Sequence, residues 1–152
     1  MQAPKVQTNS GRVEMSPEDD KDYTINPVKH ERKMKILINI HSSGQKIDPE
    51  VYELIDILVV QYPTDAKSYS IKGDFLLRSN KEAEALKAFK TALQYDKNQF
   101  PIWNQVLIME YQAMDFNALY QDSKACLEYF PSIPKVYLFN GLSAVQLKKY
   151  AE

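Results

Sequence analysis

The chain repeats residues of the same kind every 34 positions, and this period limits its fold more than any other feature. A large aromatic residue recurs at this interval, at Tyr69, Trp103 and Tyr137. A second series stands four positions later, at Gly73, Leu107 and Gly141, and a third stands at Pro63, Lys97 and Pro131. A period of this length indicates one supersecondary unit used several times, because each unit needs its neighbours to bury its apolar face.

Composition and charge exclude several classes of protein. The 152 residues are 44% hydrophobic and 11% aromatic, which indicates a folded chain with one ordinary core. The net charge is −1, so the chain as a whole offers no basic field for nucleic acid. The single cysteine excludes an internal disulfide. The sequence lacks both the run of about 18 apolar residues that a spanning helix needs and the apolar segment of a signal peptide.

Apolar residues at helical spacing predict helices in pairs over most of the chain. Pro27 is expected to open the first helix, and Asp48, which precedes a proline, to cap the second. The next helix is predicted over residues 66–78. A capping box that begins at Ser79 predicts the start of its partner, and Asp115 is expected to cap a later helix.

Together these features resemble the tetratricopeptide repeat, a helix pair with a large aromatic at position 4, small residues at positions 8, 20 and 27, and an aromatic at position 24. The resemblance implies an all-α fold, a right-handed superhelical solenoid of antiparallel helix pairs. It divides the chain into a polar tail or linker at 1–26, a degenerate helical pair at 27–65, repeat units at 66–99 and 100–133, and the first helix of a truncated unit at 134–152. For the tail, an ordered strap against the helices is the alternative.

The two full units differ in how well they follow the family pattern. The first supplies the expected small and aromatic residues, Gly73, Ala85, Phe89 and Ala92. The second has Leu107 and Leu119 at two small-residue positions, so we expect its two helices to lie further apart. More loosely, residues 62–141 resemble long repeat proteins of Bacteroidetes-type bacteria, often associated with the cell envelope. That likeness implies a piece of a longer array and favours the periplasmic side over the cytoplasm; the compartment is otherwise open.

The tetratricopeptide resemblance places a binding groove on the first helix of each unit. Its inward positions are Lys67, Ser70, Asp74, Leu77, Arg78, Asn104, Ile108, Tyr111, Gln112, Lys135, Leu138, Leu142 and Val145, which we call the groove set. The set is charged in the first unit and becomes apolar and aromatic toward the last. The clamp that grips chaperone C-termini in this family uses lysine and asparagine where Ser70 and Asp74 stand, so we expect a different ligand.

Residues that could carry catalytic chemistry are few. Cys126 falls at a small-residue position of its unit, so we expect a buried side chain and not a nucleophile. His30 and His41 are about three helical turns apart, too far along one helix to share a metal. Paired carboxylates such as Glu82 and Glu84 are expected only on polar helix faces. No catalytic or nucleotide-binding motif occurs, and we predict no enzymatic activity, no cofactor and no metal.

Two functions are compatible with these residues. The first is a non-enzymatic scaffold that binds a protein or peptide segment in the groove, with the apolar members of the groove set as anchors. The second is a structural module that self-associates or packs with flanking repeats, because the last helix lacks a partner to cover Leu142, Val145 and Leu147. Binding of nucleic acid by the basic run at 29–35 is a weaker third hypothesis, since those charges are expected to form a solvated face.

Overall fold

The computed structural model describes residues 26–44 and 46–148. These residues form seven α-helices and no strand, which confirms the all-α class. The helices are α1 (Pro27–Ser42), α2 (Pro49–Gln61), α3 (Ala66–Arg78), α4 (Glu82–Tyr95), α5 (Phe100–Gln112), α6 (Phe116–Tyr129) and α7 (Pro134–Gln146). Apart from Asn26, the predicted tail lies outside the described residues. None of the helices in these ranges has the length and apolarity required to cross a bilayer.

The chain divides into two compact units, with the boundary between Pro63 and Thr64. In the first unit, the beginning of α1 contacts the end of α2, so the two helices run antiparallel. The ring centroids of His30 and Tyr62 are 4.0 Å apart, and the Tyr62 hydroxyl donates to the carbonyl of Asn26 at 3.0 Å. Within this predicted degenerate unit, α1 and α2 are therefore held together by polar and ring contacts as well as by apolar burial.

The basic face of α1 differs from the prediction of a fully solvated face. Lys33 is buried, and its ammonium donates to the side-chain oxygen of Gln61 on α2 at 3.5 Å. Lys35 follows the prediction, since it is exposed and pairs with Glu31 one turn earlier. Ile38 on the same helix is 49% exposed, although it is apolar. The buried side of α1 therefore includes Lys33, whose long aliphatic stem can lie against apolar neighbours.

The second unit begins with the helix pair that follows the family pattern best. A Cβ atom added to Gly73 would lie 2.6 Å from the Cε1 atom of Phe89, so the ring of α4 occupies the space that a side chain on α3 would need. Ala85 and Ala92 flank this ring on α4 and are fully buried. The small residues therefore act as the resemblance implies, by letting α3 and α4 approach closely.

The aromatic residue at position 4 forms a hydrogen bond that recurs with the period. The indole N–H of Trp103 donates to the carbonyl of Lys97 at 2.8 Å, and the hydroxyl of Tyr137 donates to the carbonyl of Pro131 at 2.9 Å. Both acceptors precede their donors by six residues. Each bond ties the start of a first helix to the loop before it, and the carbonyl is available whether that loop carries proline or lysine.

The second repeat pair is looser, as its two leucines predict. Close approaches between α5 and α6 are much less extensive than those between α3 and α4, and Leu107 and Leu119 fill the wider space between them as buried side chains. Asp115 caps α6 as predicted and accepts from the N–H of Ala118 at 3.1 Å. On the other side of α6, the amide of Asn140 on α7 donates to Ser123 Oγ at 3.0 Å.

The capping box predicted at Ser79 does not form. Ser79 ends α3, and its hydroxyl donates to the carbonyl of Phe75 at 3.0 Å, one turn back. Asn80 adopts a left-handed conformation with φ of 56°, and α4 begins at Glu82 after Lys81 without a side-chain cap. A hydroxyl can bond to the backbone on either side of a turn, and here the end of α3 competes successfully for it.

Candidate binding surface

The groove set occupies three first helices of the second unit, α3, α5 and α7. None of its thirteen residues is buried, so each retains surface that a partner could contact. Helices α5 and α7 contact each other directly, whereas α4 is the element that joins α3 to α5. The members on α5 and α7 therefore lie on neighbouring helices, and they are considered first.

Four large apolar side chains of the groove set on α5 and α7 are exposed to solvent. Tyr111 is 45% exposed, Leu138 60%, Leu142 38% and Val145 55%. Tyr111 also contacts Phe139, with ring centroids 5.7 Å apart, so α5 and α7 are joined at this face by aromatic packing. Apolar side chains left exposed together on adjacent helices indicate an interaction surface, because single scattered ones are the normal condition of a protein surface.

A cation lies beside the same apolar surface. The ammonium of Lys135 is 5.7 Å from the centroid of the Phe139 ring, close enough for a cation–π interaction. Asn104 on α5 is half-buried and Gln112 is exposed, and both offer amide donors and acceptors. The surface formed by α5 and α7 therefore combines exposed apolar side chains with polar groups at its rim.

The members of the groove set on α3 differ in character. Leu77 on α3 and Ile108 on α5, predicted as anchors, are only partly exposed because they pack against the hydrophobic core. Ser70, Asp74 and Arg78 are also partly exposed, and Lys67 is exposed. The prediction treated the apolar positions as equivalent. The structure instead concentrates exposed apolar area on Tyr111, Leu138, Leu142 and Val145.

A buried charge cluster was missed, and it contradicts the prediction that paired carboxylates occur only on polar faces. The Lys90 ammonium on α4 lies 2.6 Å from Oε1 of Glu110 on α5 and 2.8 Å from Oδ2 of Asp122 on α6. The Glu110 side chain is 1% exposed, and in the described structure its two oxygens have no hydrogen-bond partner of good geometry. The cluster connects three successive helices, and no short motif in the sequence indicates it.

The surroundings of the cluster change its acid–base properties. Burial raises the pKa of Glu110 to about 8, and the neighbouring Asp122 carboxyl adds to this effect against the opposing influence of Lys90. Burial alone would lower the pKa of Lys90, but its contacts with Asp122 and Glu110 outweigh burial and raise it.

The single cysteine is buried at its small-residue position, as predicted. Cys126 is fully buried, and burial raises the pKa of its thiol to about 11. We expect a disulfide reagent at pH 8 to modify Cys126 on the order of 100-fold more slowly in the folded chain than in urea, because the thiolate is the reactive form. Cys126→Ala is the blank for this measurement. Equal rates in both states would contradict the buried placement.

The two histidines lie on α1, where a rise of about 1.5 Å per residue separates them by roughly 16 Å. His30 is engaged with Tyr62, as described above. No group of three or more metal-ligating side chains is present among residues 26–44 and 46–148. Neither histidine lies in the second unit, where the groove set is.

No family model matches the sequence. The chain is similar to human protein O-mannosyl-transferase TMTC3, with 27% identity over 111 residues. The match covers 72% of this chain and 12% of that protein, so the chain spans about an eighth of its relative's length. TMTC3 contains tetratricopeptide repeats, which is consistent with a helical-repeat chain. A human relative gives no support to the bacterial likeness of residues 62–141.

Proposed function

We propose that the chain is a protein-interaction module that binds a peptide segment of a partner through the groove set. The exposure of Tyr111, Leu138, Leu142 and Val145 on two adjacent helices carries this proposal. These side chains would supply apolar anchors, and Lys135, Asn104 and Gln112 would fix the register of the peptide through polar contacts. Similarity to a repeat-containing protein supports an interaction role but does not identify a partner.

The name of TMTC3 also describes a mannosyltransferase, and we do not propose this activity for the chain. The matched segment is 12% of that protein, and no observation on this chain favours transfer of a sugar. The groove set contains a single carboxylate, Asp74. We therefore assign the chain a binding role.

A library of random 15-residue peptides displayed on phage would test the groove proposal. We expect the full chain to enrich peptides with two or more large apolar residues, and the double variant Leu138→Asp, Val145→Asp to bind them at least about 10-fold more weakly. Both side chains are exposed, so the fold should survive the change. Val60→Asp is the matched control, since Val60 is a 75% exposed valine on α2.

Two outcomes would contradict the proposal. The first is that no peptide is enriched above an unrelated helical protein. The second is that the enriched peptides bind the double variant and the native chain equally. Either result would remove Leu138 and Val145 from the binding surface. The Val60→Asp control separates a local effect from a general effect of added negative charge.

Self-association is the second candidate, and the exposure of Leu142 and Val145 on α7 is the observation that favours it. Self-association predicts that the average molar mass in solution rises with the concentration of the chain. Sedimentation equilibrium from micromolar to millimolar concentration decides the matter, because a constant monomer mass would exclude a dimer formed through α7.

A further inference from the structure

Glu110 lies on α5 among residues of the groove set, but its side chain enters the junction of three helices. Ile108 and Tyr111, which flank it in the sequence, belong to the groove set. The Glu110 side chain is 1% exposed, and its carboxyl group contacts the ammonium of Lys90 on α4 at 2.6 Å. The contact of Glu110 with α4 therefore determines how the end of α5 is turned, and with it where Ile108 and Tyr111 lie.

The end of α5 is also the part of that helix that contacts α7 and the turn to α6. The ring of Tyr111 packs on that of Phe139, with centroids 5.7 Å apart. The backbone carbonyl of Glu110 accepts from the N–H of Asp115, the cap of α6, at 3.0 Å. A displacement at Glu110 would therefore be passed to the groove residues of both α5 and α7.

Two carboxyl groups face a single ammonium at this junction. Lys90 also lies 2.8 Å from Asp122 of α6, and these two side chains are 38% and 27% exposed. Water can therefore stabilise the charges of Lys90 and Asp122, but it does not reach Glu110. Within the described chain, these two residues are the titratable groups that act on Glu110, and none does so from α3 or α7. A proton on Glu110 removes one negative charge and supplies a donor within hydrogen-bond reach of Asp122.

We propose that Glu110 is a positioning residue for the groove, which holds the end of α5 in place while it is protonated and releases it when the proton is lost. This inference rests on the proposed function, since it concerns the same groove. Ionised Glu110 places a second negative charge against one ammonium in the interior, and that cost falls when α5 moves and water reaches the carboxylate. The arrangement that binds peptide therefore keeps the proton, so protonation and peptide binding favour each other.

Peptide affinity measured against pH tests this coupling. The probe is the tightest-binding peptide from the 15-residue library, labelled with fluorescein and followed by anisotropy with the full chain. The pKa of Glu110 is raised to about 8, so the Kd should increase about 10-fold between pH 7 and pH 9 as the protonated fraction falls. Glu110→Gln cannot ionise and should keep the affinity that the native chain has at pH 7. Glu84→Gln, at an exposed carboxylate on α4, is the matched control and should follow the native profile.

Two further variants should move the midpoint of this pH profile in opposite directions. Asp122→Asn removes a carboxyl group that raises the pKa of Glu110, so the loss of affinity should begin at lower pH. Lys90→Met keeps the aliphatic stem but removes the ammonium that lowers this pKa, so the loss should begin at higher pH. If the cluster only stabilised the fold, both variants would weaken binding at every pH without moving the midpoint. Circular dichroism at pH 7 checks that both variants are folded.

The movement of α5 can be measured without a ligand. In methyl-labelled chain, the signal of Ile108 should shift between pH 7 and pH 9, that of Ile71 on α3 should not, and neither should shift in Glu110→Gln. A constant Ile108 signal, or equal pH profiles of affinity for the native chain and Glu110→Gln, would overturn this inference and leave the groove proposal standing. A chain in which Ile108 titrates but no library peptide binds would overturn the proposed function, and with it the role of Glu110 in binding.

Discussion

Phe89→Ala is expected to lower the free energy of unfolding by about 3–5 kcal/mol, the usual cost of removing a buried aromatic ring. Phe89 is 2% exposed and lies between α3 and α4, where it fills the space over Gly73. Single domains are commonly stable by about 5–15 kcal/mol, so this loss would be a large fraction of the total. Urea unfolding followed by the fluorescence of Trp103, the only tryptophan in the chain, measures it.

A double-mutant cycle with Gly73→Ala shows whether close approach of the two helices is the cause. Alone, Gly73→Ala should destabilise by about 1–2 kcal/mol, because overpacking against Phe89 exceeds the gain of about 1 kcal/mol from helix propensity. In the Phe89→Ala background the ring is absent, and the same change should stabilise. Gly141→Ala is the matched control, since its added Cβ meets nothing and should stabilise by up to about 1 kcal/mol. Additive effects of the two changes would contradict the contact.

The period of the sequence predicts most of the fold because the contacts that build it are local and repeated. The bounds of α3 agree with the predicted 66–78. The close packing of Gly73 against Phe89 and the looser packing at Leu107 and Leu119 follow from residue size at fixed positions. These features depend on neighbours one repeat away at most, and the sequence shows those neighbours directly.

The candidate site was harder to predict because exposure depends on how neighbouring helices are rotated. Leu77 and Val145 occupy the same repeat position, 68 residues apart, yet Leu77 packs on the core and Val145 is 55% exposed. Lys33 and Glu110 are buried although their residue types predict solvent. Lys33 contacts Gln61 and Glu110 contacts Lys90, in each case on another helix. A single sequence does not show which side chains will meet in this way.

The stability of the chain is expected to fall as the pH rises from about 5 to 9, because Glu110 must then lose a proton in the interior. Its pKa is raised from 4.5 to about 8 in the folded chain. Between these values the folded state holds a proton that the unfolded state has released, so stability decreases with pH. The contribution is fully present below about 4.5 and is lost as the pH passes 8, for a total on the order of 5 kcal/mol. Lys90 does not oppose this trend, since its raised pKa affects stability only above its usual 10.5.

Glu110→Gln separates this proton from every other titrating group. Glutamine has nearly the shape of the protonated acid and cannot ionise, so the variant should match the native chain near pH 5. At pH 9 it should be more stable than the native chain by about 4 kcal/mol. Urea midpoints at pH 5, 7 and 9 measure the difference, and contributions from other groups cancel because both proteins share them. Parallel pH profiles would show that Glu110 is ionised throughout, with Lys90 compensating its charge. A flatter profile for the variant would show that the three helices are held together by a cluster that keeps one proton at neutral pH.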